Sequence, residues 1–151
     1  MALITFTVDG VVGKQRPRMG KMGVYTPSKT VKYERLIKRS AMQAMKEAQL
    51  EPTDKPLRVD VRAFYAVPKS YTKARKNRCI DGTEQPNKKP DIDNVIKSIL
   101  DGMNGVVYLD DKQVVQLTAT KHYTGNDAYV LVRVSTIDDK QELGDAYDGI
   151  N

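Results

Sequence analysis

Asp91-Ile92-Asp93-Asn94, followed by Asp110-Asp111, gathers four carboxylates into one short stretch of chain. Two carboxylates about 4 Å apart repel by roughly 4 kcal/mol at an effective dielectric of about 20. Such a group is stable only if a cation or base joins it. Hard divalent ions such as Mg²⁺ take oxygen ligands and keep several of their waters. The chain is otherwise basic, with 25 Lys and Arg against 19 Asp and Glu, a net charge of +6. Acid groups in a basic protein point to metal-assisted chemistry on a phosphate backbone.

These residues need elements to hold them. Ile92, Val95, Ile96, Ile99, Leu100 and Met103 recur in steps of three and four, which predicts an amphipathic helix beginning just after Asp91. Asp93, Lys97 and Asp101 recur every four residues on another face, the spacing of surface ion pairs. Asn104-Gly105 supplies the stop. Val106 to Leu109 reads as a short strand that delivers Asp110 or Asp111 to the rim holding Asp91 and Asp93. The same residues also have ordinary structural uses, because Asp is common in a first helical turn and Asp-Asp in tight turns. Asn94 fits a capping or an orienting role. His122, the single histidine, and Tyr108 read as packing or surface residues.

Upstream, Leu3 to Val8 alternates as a strand. A glycine-rich basic connection covers Gly10 to Gly23 and carries Lys14, Arg16, Arg18 and Lys21. Thr26-Pro27 reads as a helix start with Thr26 as N-cap; the helix runs to about Gln49 and buries Tyr33, Ile37, Ala41, Ala44 and Ala48. Leu57 to Ala66 is the next strand. Pro68 to Pro90 is a long connection in which Ser70 caps a short basic helix. Val114 to Tyr123 and Ala128 to Thr136 are the last strands, expected as a hairpin through Thr124-Gly125-Asn126-Asp127. The order implies an α/β fold, a single domain with a mixed sheet flanked by two main helices. That domain spans 1–137, with 68–90 as its basic connecting segment, and 138–151 forms an acidic tail expected to be flexible.

From Lys69 to Lys89 there are seven basic residues and two acidic ones, the pattern of a nucleic-acid surface or of a solvated loop. The candidate DNA contacts are Lys14, Arg16, Arg18, Lys69, Lys73, Arg75, Lys76 and Arg78. Cys79 is alone, so no internal disulfide forms, and its thiol is expected in a polar loop. No stretch approaches the ~20 apolar residues of a membrane span. The N-terminus lacks the regions of a signal peptide, and a cytoplasmic location is expected.

Lys89-Pro90-Asp91-Ile92-Asp93-Asn94 with Lys97, then Val107-Tyr108-Leu109-Asp110-Asp111-Lys112-Gln113-Val114-Val115, resembles the RusA family of Holliday-junction resolvases. The resemblance is specific over about Lys88 to Tyr123 and looser elsewhere. It implies a small homodimeric endodeoxyribonuclease, common in bacteria and prophages, that uses Mg²⁺ with Mn²⁺ as an alternative ion and needs no nucleotide cofactor. Its substrate would be four-way junction DNA, resolved by paired nicks during recombination and repair. By position, Asp91, Asp93 and Asp111 match the family's metal-binding aspartates, Lys97 its catalytic lysine, and Asp110 the first acidic position of the later pair. Rival readings from the residues are a non-catalytic DNA-binding module, a nuclease acting on forks, flaps or RNA, and a small-molecule phosphohydrolase.

Overall fold

A computed structural model describes residues 2–137; the acidic tail expected over 138–151 lies outside the described residues. The chain runs β1 (Ala2–Asp9), β2 (Arg18–Gly20), β3 (Gly23–Tyr25), α1 (Ser28–Glu47), β4 (Leu57–Ala66), α2 (Lys73–Ile80), α3 (Ile92–Met103), a 3-10 turn (Asp111–Gln113), β5 (Val114–Thr124) and β6 (Tyr129–Thr136). β1, β4, β5 and β6 form a four-stranded mixed sheet in the order β1-β6-β4-β5. β2 and β3 form a separate two-stranded ribbon. This is the expected α/β class. No helix among the described residues is long and apolar enough to cross a membrane.

The alternation of β4 places Leu57, Val59, Val61, Ala63 and Tyr65 on one buried face. Ile4, Phe6 and Val8 of β1 and Val130, Val132 and Val134 of β6 join them in one core. α1 and α3 close that core. α1 buries Thr30, Tyr33, Ile37, Ala41 and Met45, so Met45 takes the place expected for Ala48, which is exposed. α3 buries Val95, Ser98, Ile99, Gly102 and Met103.

The last two strands correct the expected hairpin. β5 pairs with β4 in parallel, and β6 pairs with β4 on its other side, antiparallel. Composition explains the sorting. β6 carries Val130, Val132 and Val134 and takes a central position between β1 and β4. β5 carries Gln116, Thr118, Thr120 and Lys121, and a polar strand belongs at an edge.

Val106 to Leu109 is not a strand either. Gly105, at φ +78°, turns the chain back directly beneath the end of α3. Val107 N–H donates to the Met103 carbonyl, Thr53 N–H donates to the Val107 carbonyl, and the buried Tyr108 hydroxyl donates to the Leu100 carbonyl. Helix starts differ slightly as well: Pro27, not Thr26, is the N-cap of α1, and Thr72, not Ser70, caps α2 through its hydroxyl. The long connection is ordered around α2. Arg75 Nε pairs with Glu84 at 3.0 Å and its guanidinium lies 3.7 Å over the Tyr71 ring. Cys79 is buried on α2 rather than placed in a polar loop.

α1 and α3 approach closely at Gly102, where a Cβ would meet Ile37 Cγ2 at 2.5 Å. Gly102→Ala is therefore expected to force the helices apart and to destabilise the fold by about 1–3 kcal/mol despite alanine's better helix propensity. Urea denaturation measures this; an unchanged or raised midpoint overturns it. The Arg75 guanidinium holds the Glu84 carboxyl below its usual range. A group depressed in the folded state contributes stability above its unfolded value, about 4.3, and loses it as pH falls through the folded value. Amide exchange at Arg75 to Ile80, corrected for intrinsic rate, should accelerate only in that acid window, and Glu84→Gln should show the faster exchange already at neutral pH.

Candidate functional site

Asp91 is the N-cap residue of α3, yet its side chain makes no capping hydrogen bond. A missing cap forfeits about 1 kcal/mol. Full burial of Val95, Ile99 and Met103 contributes about 1.5–3 kcal/mol each. Packing therefore holds the helix, and the carboxylate of Asp91 stays uncommitted. Asp93 follows in the first turn, exposed. The end of the helix is pinned from outside. The Tyr65 hydroxyl donates to the Pro90 carbonyl at 2.6 Å, and Lys14 N–H donates to the Asn94 carbonyl at 2.9 Å. The second bond needs Gly13, because a Cβ there would meet Pro90 Cβ at 2.9 Å and Asn94 Cβ at 3.0 Å. Burial, and then the charge of Asp91, push the Tyr65 phenol up to about 12, so it remains a donor at neutral pH. A hollow of about 390 Å³ opens here, with Lys14, Gln15, Lys29, Lys89, Asp91 and Asn94 in its wall.

Asp110 and Asp111 sit elsewhere. Asp110 caps the 3-10 turn: its Oδ1 accepts from Lys112 N–H at 2.9 Å, while Gln113 Oε1 accepts from Asp110 N–H. The Lys112 N–H lowers the Asp110 carboxyl below its usual range. A hydrogen bond shared with Asp110 raises Asp111, with further pushes from burial and from the charges of Asp110 and Asp101. Tyr108 is raised by burial and by the charges of Asp111, Asp101 and Asp110. The charges of all three carboxylates thus reach Tyr108, past the C-terminal end of α3.

The expected convergence does not occur within one chain. Asp101 lies ten residues beyond Asp91, which is about 15 Å along the helix axis at ~1.5 Å per residue. Asp111 feels the charge of Asp101, at the C-terminal end of the helix. The chain turns back at Gly105 instead of running as a strand to the other rim, so the two acidic groups occupy opposite ends of α3. Accordingly, no group of three or more His, Cys, Asp or Glu that could hold a metal forms among the described residues. Asp101 does not pair with Lys97; it binds Lys14 Nζ at 2.7 Å, and Lys14 also binds Glu34 at 2.7 Å. Lys97 is exposed between the two acidic ends, without an ion pair among the described residues.

Of the basic candidates, Arg16, Arg18, Lys69, Lys73 and Arg78 are exposed, and Lys76 is half-buried. Lys14 and Arg75 are engaged by carboxylates, so a phosphate must compete with those partners. Sequence reasoning missed Lys29 and Lys89, which line the hollow beside Asp91. It also missed the basic outer side of α1, where Lys32, Arg35, Lys38, Arg39 and Lys46 are exposed. The helical spacing of those cations was readable; the placement of Lys29 against residues some sixty positions away was not. His122 stacks on Phe64 at 5.1 Å and shares a hydrogen bond with Thr120, as a packing residue does.

Residues 9–135 match the family Endodeoxyribonuclease RusA. The chain is also 34% identical over 131 residues to the uncharacterized protein YqaN of Bacillus subtilis (strain 168), a match covering 82% of this chain and 90% of YqaN. With most of its length inside the family match, this chain belongs to the RusA endodeoxyribonuclease family.

Proposed function

We propose that two copies of this chain assemble into a divalent-metal-dependent nuclease that resolves four-way DNA junctions by nicking opposed strands, in recombination and repair. The observation that carries the reading is the separation of two incomplete acidic groups at opposite ends of α3 in a chain of this endonuclease family. A two-fold partner set antiparallel to the first chain brings the Asp91 end of one protomer to the Asp111 end of the other, twice. Leu109, Val115 and Leu117, exposed next to the acidic pair along the chain and on edge strand β5, offer apolar surface for that partner to cover.

The donor set is all oxygen: Asp91 and Asp93 of one protomer, with Asp111 and Asp110 of its partner. It fits a hard ion, Mg²⁺ or in its place Mn²⁺. The uncommitted carboxylate of Asp91 and the crowding that raises Asp111 both favour a cation. Such an ion, when bound, would supply a water of lowered pKa and positive charge against the negative charge that builds on the phosphate. The chain's own residues do the rest. Lys97 stabilises charge on the scissile phosphate. Lys29 and Lys89 hold the flanking phosphates over the hollow, and the exposed cations of α1 continue the track. The tyrosines at the two helix ends keep the aspartates in place.

Asp91→Asn is expected to keep fold and junction binding but to reduce Mg²⁺-dependent nicking at least about a hundredfold. Asp111→Asn should do the same. Mixing the two inactive variants under subunit exchange tests the shared site directly. If sites span the partners, a mixed dimer carries one site with both substitutions and one intact site, and single nicking returns. If each site lies within one chain, the mixture stays dead. Lys97→Ala should slow cleavage about a hundredfold with affinity within about threefold; equal losses in both would make it a binding residue. Wild-type protein that cuts forks or duplex but leaves junctions intact would replace the junction reading with a broader nuclease.

A further inference from the structure

The β2–β3 ribbon stands away from the core, and none of its residues is buried. Arg18 pairs with Tyr25, Met19 with Val24 and Gly20 with Gly23. Met19 and Val24 thus share one face, 78% and 68% exposed, while Arg18 and Tyr25 share the other. Lys21 and Met22 make the tip, and Met22 is fully exposed. Gly23, at φ +108°, permits the turn. A ribbon of two three-residue strands is marginal by itself, and exposed apolar side chains of this size do nothing for its folding. They indicate a ligand.

The ribbon is rooted firmly, and its roots lie at the candidate site. On one side Lys14 N–H donates to the Asn94 carbonyl, and Gln15 N–H donates to Thr30 Oγ1 at 3.2 Å. On the other, Pro27 is buried at the start of α1. The arm therefore rises from the rim of the hollow that contains Asp91. Its charge has one sign. Between Gly10 and Lys32 the chain has Lys14, Arg16, Arg18, Lys21, Lys29 and Lys32 and no acidic residue. A second copy presenting the same arm would be repelled by it, whereas a polyanion would be attracted.

We propose that this ribbon reads the branch point of DNA, an inference that rests on the nuclease reading above. Arg16, Arg18 and Lys21 hold the converging backbones. Met22 and the Met19–Val24 face lie against bases that have lost a stacking neighbour. Apolar side chains, Met among them, wedge between base steps in bent DNA at the cost of unstacking them. In continuous duplex that cost is paid in full; at a branch the stack is already interrupted. The arm therefore favours branched over linear DNA without reading a sequence.

The test uses the full chain with Met19→Ser and Met22→Ser together. Probes are a four-way junction carrying 2-aminopurine at the branch and a duplex of the same sequence. The expected result is about a tenfold fall in junction affinity with duplex affinity within about twofold, and loss of the 2-aminopurine fluorescence rise that wild type produces. Unchanged junction affinity, or equal losses on both DNAs, overturns the proposal. So does conversion of a dimer to a monomer, which assigns the arm to self-association, or a selective loss of sedimentation with phosphatidylserine vesicles. Arg18→Gln with Lys21→Gln should weaken both DNAs and lower the salt slope by about 2; an unchanged slope also overturns it. Wild type that neither binds nor cuts the junction in Mg²⁺ removes the nuclease reading and this one with it. Failure of the arm alone leaves wild-type cleavage intact.

Discussion

Two tyrosine hydroxyls pin α3 at its two ends. Tyr65, from the central strand β4, donates to the Pro90 carbonyl just ahead of the helix. Tyr108, fully buried past its far end, donates to the Leu100 carbonyl. Both phenols are raised by burial and by neighbouring aspartates, so both remain protonated donors well above neutral pH. A buried donor without its acceptor costs about 1–3 kcal/mol. The helix therefore cannot slide along the sheet without stranding one of them. Asp91, Asp93 and Asp101, at or on the helix, take their positions from that clamp and from the packing beneath it.

The clamp also sorts charge. At the start of α3, Lys29 and Lys89 border Asp91. At its end, Asp111 shares a hydrogen bond with Asp110 and feels the charge of Asp101. Lys14 links the glycine-rich connection to both long helices through Glu34 of α1 and Asp101 of α3. All three groups are only partly buried, so this pair of contacts adds little stability; its effect is to neutralise one of the three acids at the crowded end. What stays uncompensated there is the Asp110–Asp111 pair.

Much of this was legible from the chain. The period of α3, the alternation of β4 and the stop at Asn104-Gly105 all follow from local spacing, and local spacing is what a sequence displays directly. The family could be read from Lys89 to Val115 for the same reason. The failures were non-local. β5 and β6, joined by a turn-like Thr124-Gly125-Asn126-Asp127, looked like a hairpin until partner preference decided: the valine-rich strand went inside and the threonine-rich one to the edge. Val106 to Leu109 looked like a strand because it is apolar, but Tyr108 is spent on Leu100 and Val107 on Thr53 and Met103. The turn at Gly105 leaves Asp111 beyond the C-terminal end of α3, where a strand would have carried it on toward the other rim. The ribbon at Arg18 to Tyr25 gave no apolar period at all, since its side chains face solvent.

β4 and β5 lie side by side in parallel, with Val67 N–H bonded to the Thr124 carbonyl where the ladder finishes. Everything between them, including α2, α3 and the acidic pair, is a single excursion that leaves and returns to adjacent strands. Closing a longer excursion is cheap, about 0.6 kcal/mol for each doubling of its length. The stretch before Pro90 can thus lengthen or shorten while the same sheet and the same helix are kept, and Asp91, Asp93 and Asp111 hold their address on the scaffold.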